Sequence, residues 1–338
     1  VTLVFAGVAR EGRGLTYTVP PTAARLLASS RLLLDADRPA GDLLREALPT
    51  GGDRWTGRPL GVITARADGA SAPAAPERAH TLRVGGVRAW TDTPVAGETL
   101  LMNGARTVHA VVDRNARRAM IRVIPALEES ERDDVRVAFG LAVTLLIGHV
   151  GHAVVHAAAV VAPNGGAWLL AGDSRAGKSS TTAALVAAGW DYLSDDSVVL
   201  SPARSGDPSG ISVEGWRSGF SLDRGWRDGV STGDRVETEA NAIGGGKWRP
   251  AAPLAGVLFP RVDASSPTAL GAISQANAFV ELVRQSPWLL ADRGSAPAVA
   301  ALLCHAAVMP AARLSLGADS YARPERLVEV LSAIVAGG

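Results

Sequence analysis

The sequence predicts an α/β protein: a larger C-terminal domain built around a phosphate-binding loop, preceded by a smaller β-rich α+β domain. Three observations carry this. Residues 172–179 read Gly-Asp-Ser-Arg-Ala-Gly-Lys-Ser between an apolar strand-length run and a helical run. The first 127 residues are short apolar runs broken by turn-formers. From Glu128 an acidic start leads into apolar residues at helical spacing. The expected domains are therefore 1–127 and 128–338.

In the first domain, VTLVFAGV, LGVITARA, HTLRVGGVRAW and AMIRVIPAL have strand length and partial alternation. PTGGDRWTGRP and DGASAPAAPERA are rich in Gly, Pro, Asp and Ala and read as loops. PTAARLLASSRLLLDA and AGDLLREAL read as short helices. No motif in this domain carries chemistry, so it reads as an accessory domain. EESERDDVRVAFGLAVTLLIGHVG then predicts a buried helix, with acidic residues at the positive end of its dipole. The uncharged stretch from Val137 to Ala171 is interrupted by glycines and by His149, His152 and His156, which leaves pieces too short to span a bilayer.

The 34 basic residues nearly balance the 33 acidic ones, so no global field draws the chain to nucleic acid or an anionic membrane. Cys304 is the only cysteine, which excludes an intramolecular disulfide and a cysteine-based zinc site; a reducing, cytoplasmic setting is expected. Only Lys178 and Lys247 are lysines, against 32 arginines. A chain that uses arginine wherever a cation suffices marks its lysines as places where a compact ammonium is needed.

The runs AVVHAAAVVA and GAWLLAG, joined by PNGG, predict two strands, and TTAALVAAG predicts a helix ended by Gly189. Between them, Gly172 and Gly177 let the backbone curl so that N–H groups of Asp173, Ser174, Arg175 and Ala176 face phosphate oxygens. Lys178 would reach the outer phosphates, and the hydroxyl of Ser179, followed by Ser180, would take Mg²⁺. WDYLSDDSVVL follows, with Asp195 only seventeen residues after Lys178. One of its paired carboxylates can hold the metal and the other accept a proton from an attacking hydroxyl. Neighbours on a strand point to opposite faces, so both serve one site only if the strand ends or twists there.

The run from Val154 to Leu200 resembles the core of HPr serine kinases, and more closely the HPr-kinase-like proteins found with ribosomally made peptides, including lasso-peptide tailoring kinases. The likeness is strong over about residues 152–200. It continues more weakly through GGGKWRP and PLAGVLFPRVD, and it does not extend to the first 127 residues. It implies a P-loop domain of the HPr kinase/PEP carboxykinase type that binds ATP with Mg²⁺. Carried over, Ser174, Gly177, Lys178 and Ser179 bind nucleotide and metal, Asp195 is the general base, and Asp196 the metal-side carboxylate. His156 neighbours the phosphoryl-transfer centre. Arg175 departs from the family, which commonly has Gly there. No copy of the Gly-rich signature tied to reverse phosphorolysis is present, so HPr itself is not implied as substrate.

Phosphoryl transfer also needs cations against the growing charge. Lys247, in a Gly-rich loop suited to fold over a nucleotide, is the first candidate, with Arg249 and Arg261 next. Arg217, Trp216 and Trp226 are placed as lining for an acceptor groove. Cys304 and His305 diverge on a helix and do not form a dyad. The leading expectation is an ATP-Mg-dependent kinase acting on a hydroxyl, Ser foremost, of a peptide or small protein. A small-molecule kinase of PEP-carboxykinase-like type and a non-catalytic ATP-binding module are the alternatives. GTP in place of ATP and a homo-oligomer both remain compatible with the sequence.

Overall fold

The computed structural model describes residues 8–11, 14–17, 23–26, 32–44, 59–74, 82–91, 97–125, 127–203, 210–216, 220–225, 234–238, 240–286, 289, 294–323 and 325–335. The chain is mixed α/β and divides into two compact units: Val1–Gly151 with Trp288–Pro297, and His152–Pro287 with Ala298–Gly338.

The first unit contains β1 (Val8–Glu11), β2 (Gly14–Tyr17), β3 (Ala23–Leu26), β4 (Leu32–Ala36), α1 (Arg38–Leu44), β5 (Gly61–Arg66), β6 (Leu82–Val84), β7 (Val87–Thr91), β8 (Glu98–Asn103), β9 (Val108–Asp113), β10 (Arg118–Val123) and α2 (Glu129–Gly148). Eight of these strands form one mixed sheet in the order β3-β4-β5-β10-β9-β8-β7-β6. Helix α2 packs on β5, β7, β8, β9 and β10 through Val135, Phe139, Ala142, Leu145 and Leu146, which recur at helical spacing, while His149, expected on the same stripe, is the exposed C-cap. The division between units thus falls at Gly151, not at residue 127, because α2 covers the N-terminal sheet.

LGVITARA and AMIRVIPAL contain strands β5 and β10, HTLRVGGVRAW is the β6–β7 hairpin, and AGDLLREAL begins in α1. The helix expected over PTAARLLASSRLLLDA is instead the antiparallel pair β3–β4. Leu32, Leu34 and Ala36 are buried and the residues between them less so, a period of two that a leucine-rich run conceals. The first seven residues of VTLVFAGV lie outside the described residues.

The second unit contains β11 (Ala153–Val155), β12 (Ala157–Val161), β13 (Ala167–Ala171), α3 (Lys178–Ala187), β14 (Asp191–Ser194), β15 (Val198–Pro202), β16 (Ile211–Gly215), β17 (Phe220–Asp223), β18 (Arg235–Thr238), α4 (Ala240–Ile243), β19 (Ala251–Val262), β20 (Ala269–Ala272), α5 (Gln275–Arg284), α6 (Ala296–Val308), β21 (Ala311–Leu316), α7 (Ala318–Ala322) and α8 (Glu325–Val335). Its mixed sheet runs β11-β15-β16-β19-β13-β12-β14, with β21 and then β20 joined through β19. Strands β13 and β19 are parallel. Both β13 and β14 run antiparallel to β12, so α3 carries the chain from β13 over β12 to the sheet edge.

Strand β13 is buried along its whole length. Trp168 and Leu170 share a core with Ala158, Val160, Leu185, Val186, Tyr192, Leu258 and Leu314. Gly256 is required beside Trp168: a Cβ there would lie 2.3 Å from the indole. Helix α3 ends in a Schellman turn. Gly189, at φ +95°, donates its N–H to Val186 O, and Trp190 donates to Leu185 O, both at 3.0 Å. No helix among the described residues is long and apolar enough to cross a membrane.

Candidate functional site

The loop Gly172–Gly177 leaves the C-terminal end of β13 and enters α3 through Gly177, whose φ of +97° only glycine adopts freely. Arg175 also sits in the left-handed region, at φ +66°. That costs an arginine about 1 kcal/mol and accounts for glycine being the easier residue there. Gly172 packs close to Ala176 Cβ and the Pro260 carbonyl, so the loop folds tightly on the neighbouring strand β19.

Lys178, only 7% exposed, has all its donors in use. Its Nζ donates to Gly172 O at 2.7 Å and Asp173 O at 3.0 Å, and it stands 3.2 Å from His156 Nε2. An ammonium has no lone pair, so His156 Nε2 must accept, which places the imidazole proton on Nδ1. That nitrogen lies 3.2 Å from Asp196 Oδ1. Lys178, His156 and Asp196 therefore form one chain of contacts.

His156 projects because its strand breaks there. Strand β11 pairs with β15, and β12 pairs with β13 and β14. Between them the His156 N–H leaves the sheet ladder and donates to Gln285 O at 2.7 Å. The paired aspartates sit where the pleat no longer separates them: β14 ends at Ser194, and Asp195–Asp196 form the turn to β15. The Ser194 hydroxyl closes that turn, 2.6 Å from both Ser197 O and Trp216 O.

The two carboxylates differ. Asp195 is 5% exposed. Its Oδ2 accepts from the Ser221 N–H at 3.4 Å and its carboxylate is hydrogen-bonded to the Ser179 side chain, while Oδ1 is buried with no partner among the described residues. Burial raises its pKa to about 7, with the Asp196 charge adding to the rise; Ser179, Ser221 and Lys178 oppose it without cancelling it. Asp196 has a side chain 65% exposed. Desolvation by neighbouring atoms pushes its carboxyl up, but the hydrogen bond from His156, with Ser197 and Lys178, brings it below the usual range.

An orphaned carboxylate oxygen beside a serine hydroxyl fits a hard divalent cation that completes its shell with phosphate oxygens and water. Ser179 and Asp195 are the residues that would hold it. Among the described residues no cluster of three or more His, Cys, Asp or Glu forms an all-protein metal cage.

The expected cations separate. Arg261 lies on β19 one residue beyond Pro260, at the loop end of the sheet, and is exposed. Lys247 and Arg249 are at the other end. Gly245 and Gly246 press against the C-terminus of α3: Cβ atoms there would meet Val186 O at 2.1 Å and Trp190 O at 1.6 Å. Lys247 N–H donates to Asp191 Oδ1 at 2.8 Å, and Arg249 Nε to Asp191 Oδ2 at 2.6 Å. A ten-residue helix, roughly 15 Å long, separates this end from the Gly172–Gly177 loop. The glycine run thus permits close packing under α3, and it does not bring Lys247 or Arg249 over the loop. Trp216 contributes its backbone to the aspartate turn; Arg217 and Trp226 lie outside the described residues.

Two residues that the sequence did not single out stand beside the loop. Gln285 Nε2 donates to Asp173 Oδ1 at 3.1 Å, and Arg284 Nη2 lies 3.6 Å from Asp173 Oδ2. They follow Asp173 by more than a hundred residues, and no local pattern in FVELVRQS signals the contact. No protein-family model matches this chain, and no curated protein does either.

Proposed function

We propose that the protein is a kinase that binds a nucleoside triphosphate, ATP foremost, with Mg²⁺ at Gly172–Ser180. It transfers the γ-phosphoryl group to a hydroxyl, Ser foremost, on a peptide or small protein. The observation that carries this reading is the convergence of Asp195 and Asp196 on Ser179 and Lys178 through His156. A loop that only bound nucleotide would have no use for a second, exposed carboxylate locked to its lysine.

The contacts favour exchanging the roles that the resemblance gave the two aspartates. Asp195, buried against Ser179, belongs on the metal side. Asp196, exposed and held ionised by His156, belongs on the acceptor side. A bound divalent cation would draw charge off the phosphates as the P–O bond to the leaving diphosphate breaks. Lys178 turns from the Gly172 and Asp173 carbonyls to the outer phosphate oxygens. Asp196 Oδ takes the acceptor hydroxyl's proton as that oxygen forms its bond to phosphorus. His156 keeps Asp196 oriented through Nδ1–H.

The test is incubation with γ-labelled ATP, Mg²⁺ and peptides encoded beside the gene. Asp196→Asn is expected to lower label transfer by about 10²–10⁴-fold and nucleotide affinity only a few-fold. Absence of transfer to any peptide or small protein by the wild type would remove the peptide-kinase reading. Loss in Asp195→Asn alone, with metal binding kept, would return the base to Asp195.

A further inference from the structure

We infer that Arg284 is the cation that meets the terminal phosphate of the bound nucleotide; this rests on the nucleotide-binding reading above. Of the residues expected to supply that charge, Lys247 and Arg249 are fixed at the far end of α3 and Arg261 lies at the loop end on β19, whereas Arg284 is the one paired with a loop residue, Asp173. Arg284 occupies the last position of α5, next to the loop. Its guanidinium is 57% exposed and only loosely engaged, 3.6 Å from both Asp173 Oδ2 and Glu281 Oε1. Distances of that length are ion pairs without good hydrogen bonds, so little is lost when the side chain turns.

Arg284 is held in place from behind. Gln285, buried at the C-cap of α5, donates to Asp173 Oδ1, and its carbonyl accepts the His156 N–H. The end of α5 is thereby fastened both to the first residue after Gly172 and to the strand break that presents His156. A helix C-terminus at this place brings the negative end of a dipole towards an anion site. Arg284, the basic residue of that last turn, offsets it. The planar guanidinium can engage two oxygens of one phosphate at once. In the free protein Asp173 keeps the arginine beside the loop. When a triphosphate binds, the guanidinium passes from a carboxylate to a more highly charged neighbour.

The decisive measurement compares ATP with ADP, each with Mg²⁺, by equilibrium binding to wild type, Arg284→Ala and Arg284→Lys. Circular dichroism checks that each variant is folded, and the lysine variant keeps the comparison if the alanine variant is not. Wild type is expected to prefer ATP. In Arg284→Ala the ATP affinity should fall about tenfold or more while ADP affinity stays near wild type. Arg284→Lys should recover part of the preference, since charge is kept and the bidentate fork is lost. An unchanged ATP-to-ADP ratio in both variants, or a wild type without preference, would overturn the role of Arg284 and leave the nucleotide site standing. A wild type that binds neither nucleotide would overturn the nucleotide reading itself, and this role with it.

Discussion

Replacing Asp195 with Asn should stabilise the metal-free protein, and by an amount that grows with pH. The carboxyl has a pKa of about 7 in the fold against an ordinary 3.8, with burial as the chief cause. The folded state therefore binds its proton more tightly than the unfolded chain. Stability is fullest below the unfolded value and is lost as pH rises from about 4 to about 7, beyond which the penalty stays constant. Near pH 5 the penalty is on the order of 2 kcal/mol, and above pH 8 about 4 kcal/mol at most. Asparagine keeps the shape and an acceptor for Ser179 while carrying no charge. Asp195→Asn should accordingly gain roughly 2–3 kcal/mol more at pH 8.5 than at pH 5. Urea-dependent amide exchange in the β12–β13 hairpin measures this for the C-terminal unit alone. A stability difference that does not change with pH would refute the claim that a buried, proton-holding carboxyl sits at this turn.

Two further outcomes follow from backbone geometry. Gly246→Ala puts a methyl into the Trp190 carbonyl, so a loss of about 3 kcal/mol or more is expected in chemical denaturation. Arg175→Gly relieves the left-handed strain of about 1 kcal/mol while freeing the unfolded chain. Its thermal midpoint should stay within a few degrees of wild type while equilibrium binding of Mg·ATP weakens, and a large drop in midpoint would show that the Arg175 side chain is structural.

The loop itself was legible because its chemistry is local. Glycine spacing, the strand before it and the helix after it all lie within thirty residues, and Gly189 ends that helix as its position implied. The aspartate pair was legible for a different reason: two adjacent carboxylates can share a site only at a strand end, and β14 stops one residue before them. Lys247 misled because a glycine run reads the same whether it approaches a phosphate or the underside of a helix. The β3–β4 pair misled because leucines fill both faces of its pattern. Arg284 and Gln285 reach Asp173 across the fold from more than a hundred residues away, and such contacts leave no trace in either segment.

The glycine run under α3 has a consequence for the opposite end of that helix. Val186 O accepts from both Gly189 and Gly246, at 3.0 and 2.9 Å, and the Leu185 and Ala184 carbonyls take Trp190 and Ala188. Lys247, the residue after Gly246, is fixed close by through its backbone N–H to Asp191. One pole of the helix is therefore quenched by its own surroundings, whatever is bound elsewhere. The other pole opens at Gly177, which has no side chain to cap it. An arriving anion meets a dipole already short-circuited at its tail, so the field at the loop mouth comes from the first turn of α3 and the cations around it. Charge changes near Lys247 should then be felt as changes in fold stability, and hardly at all as changes in phosphate affinity.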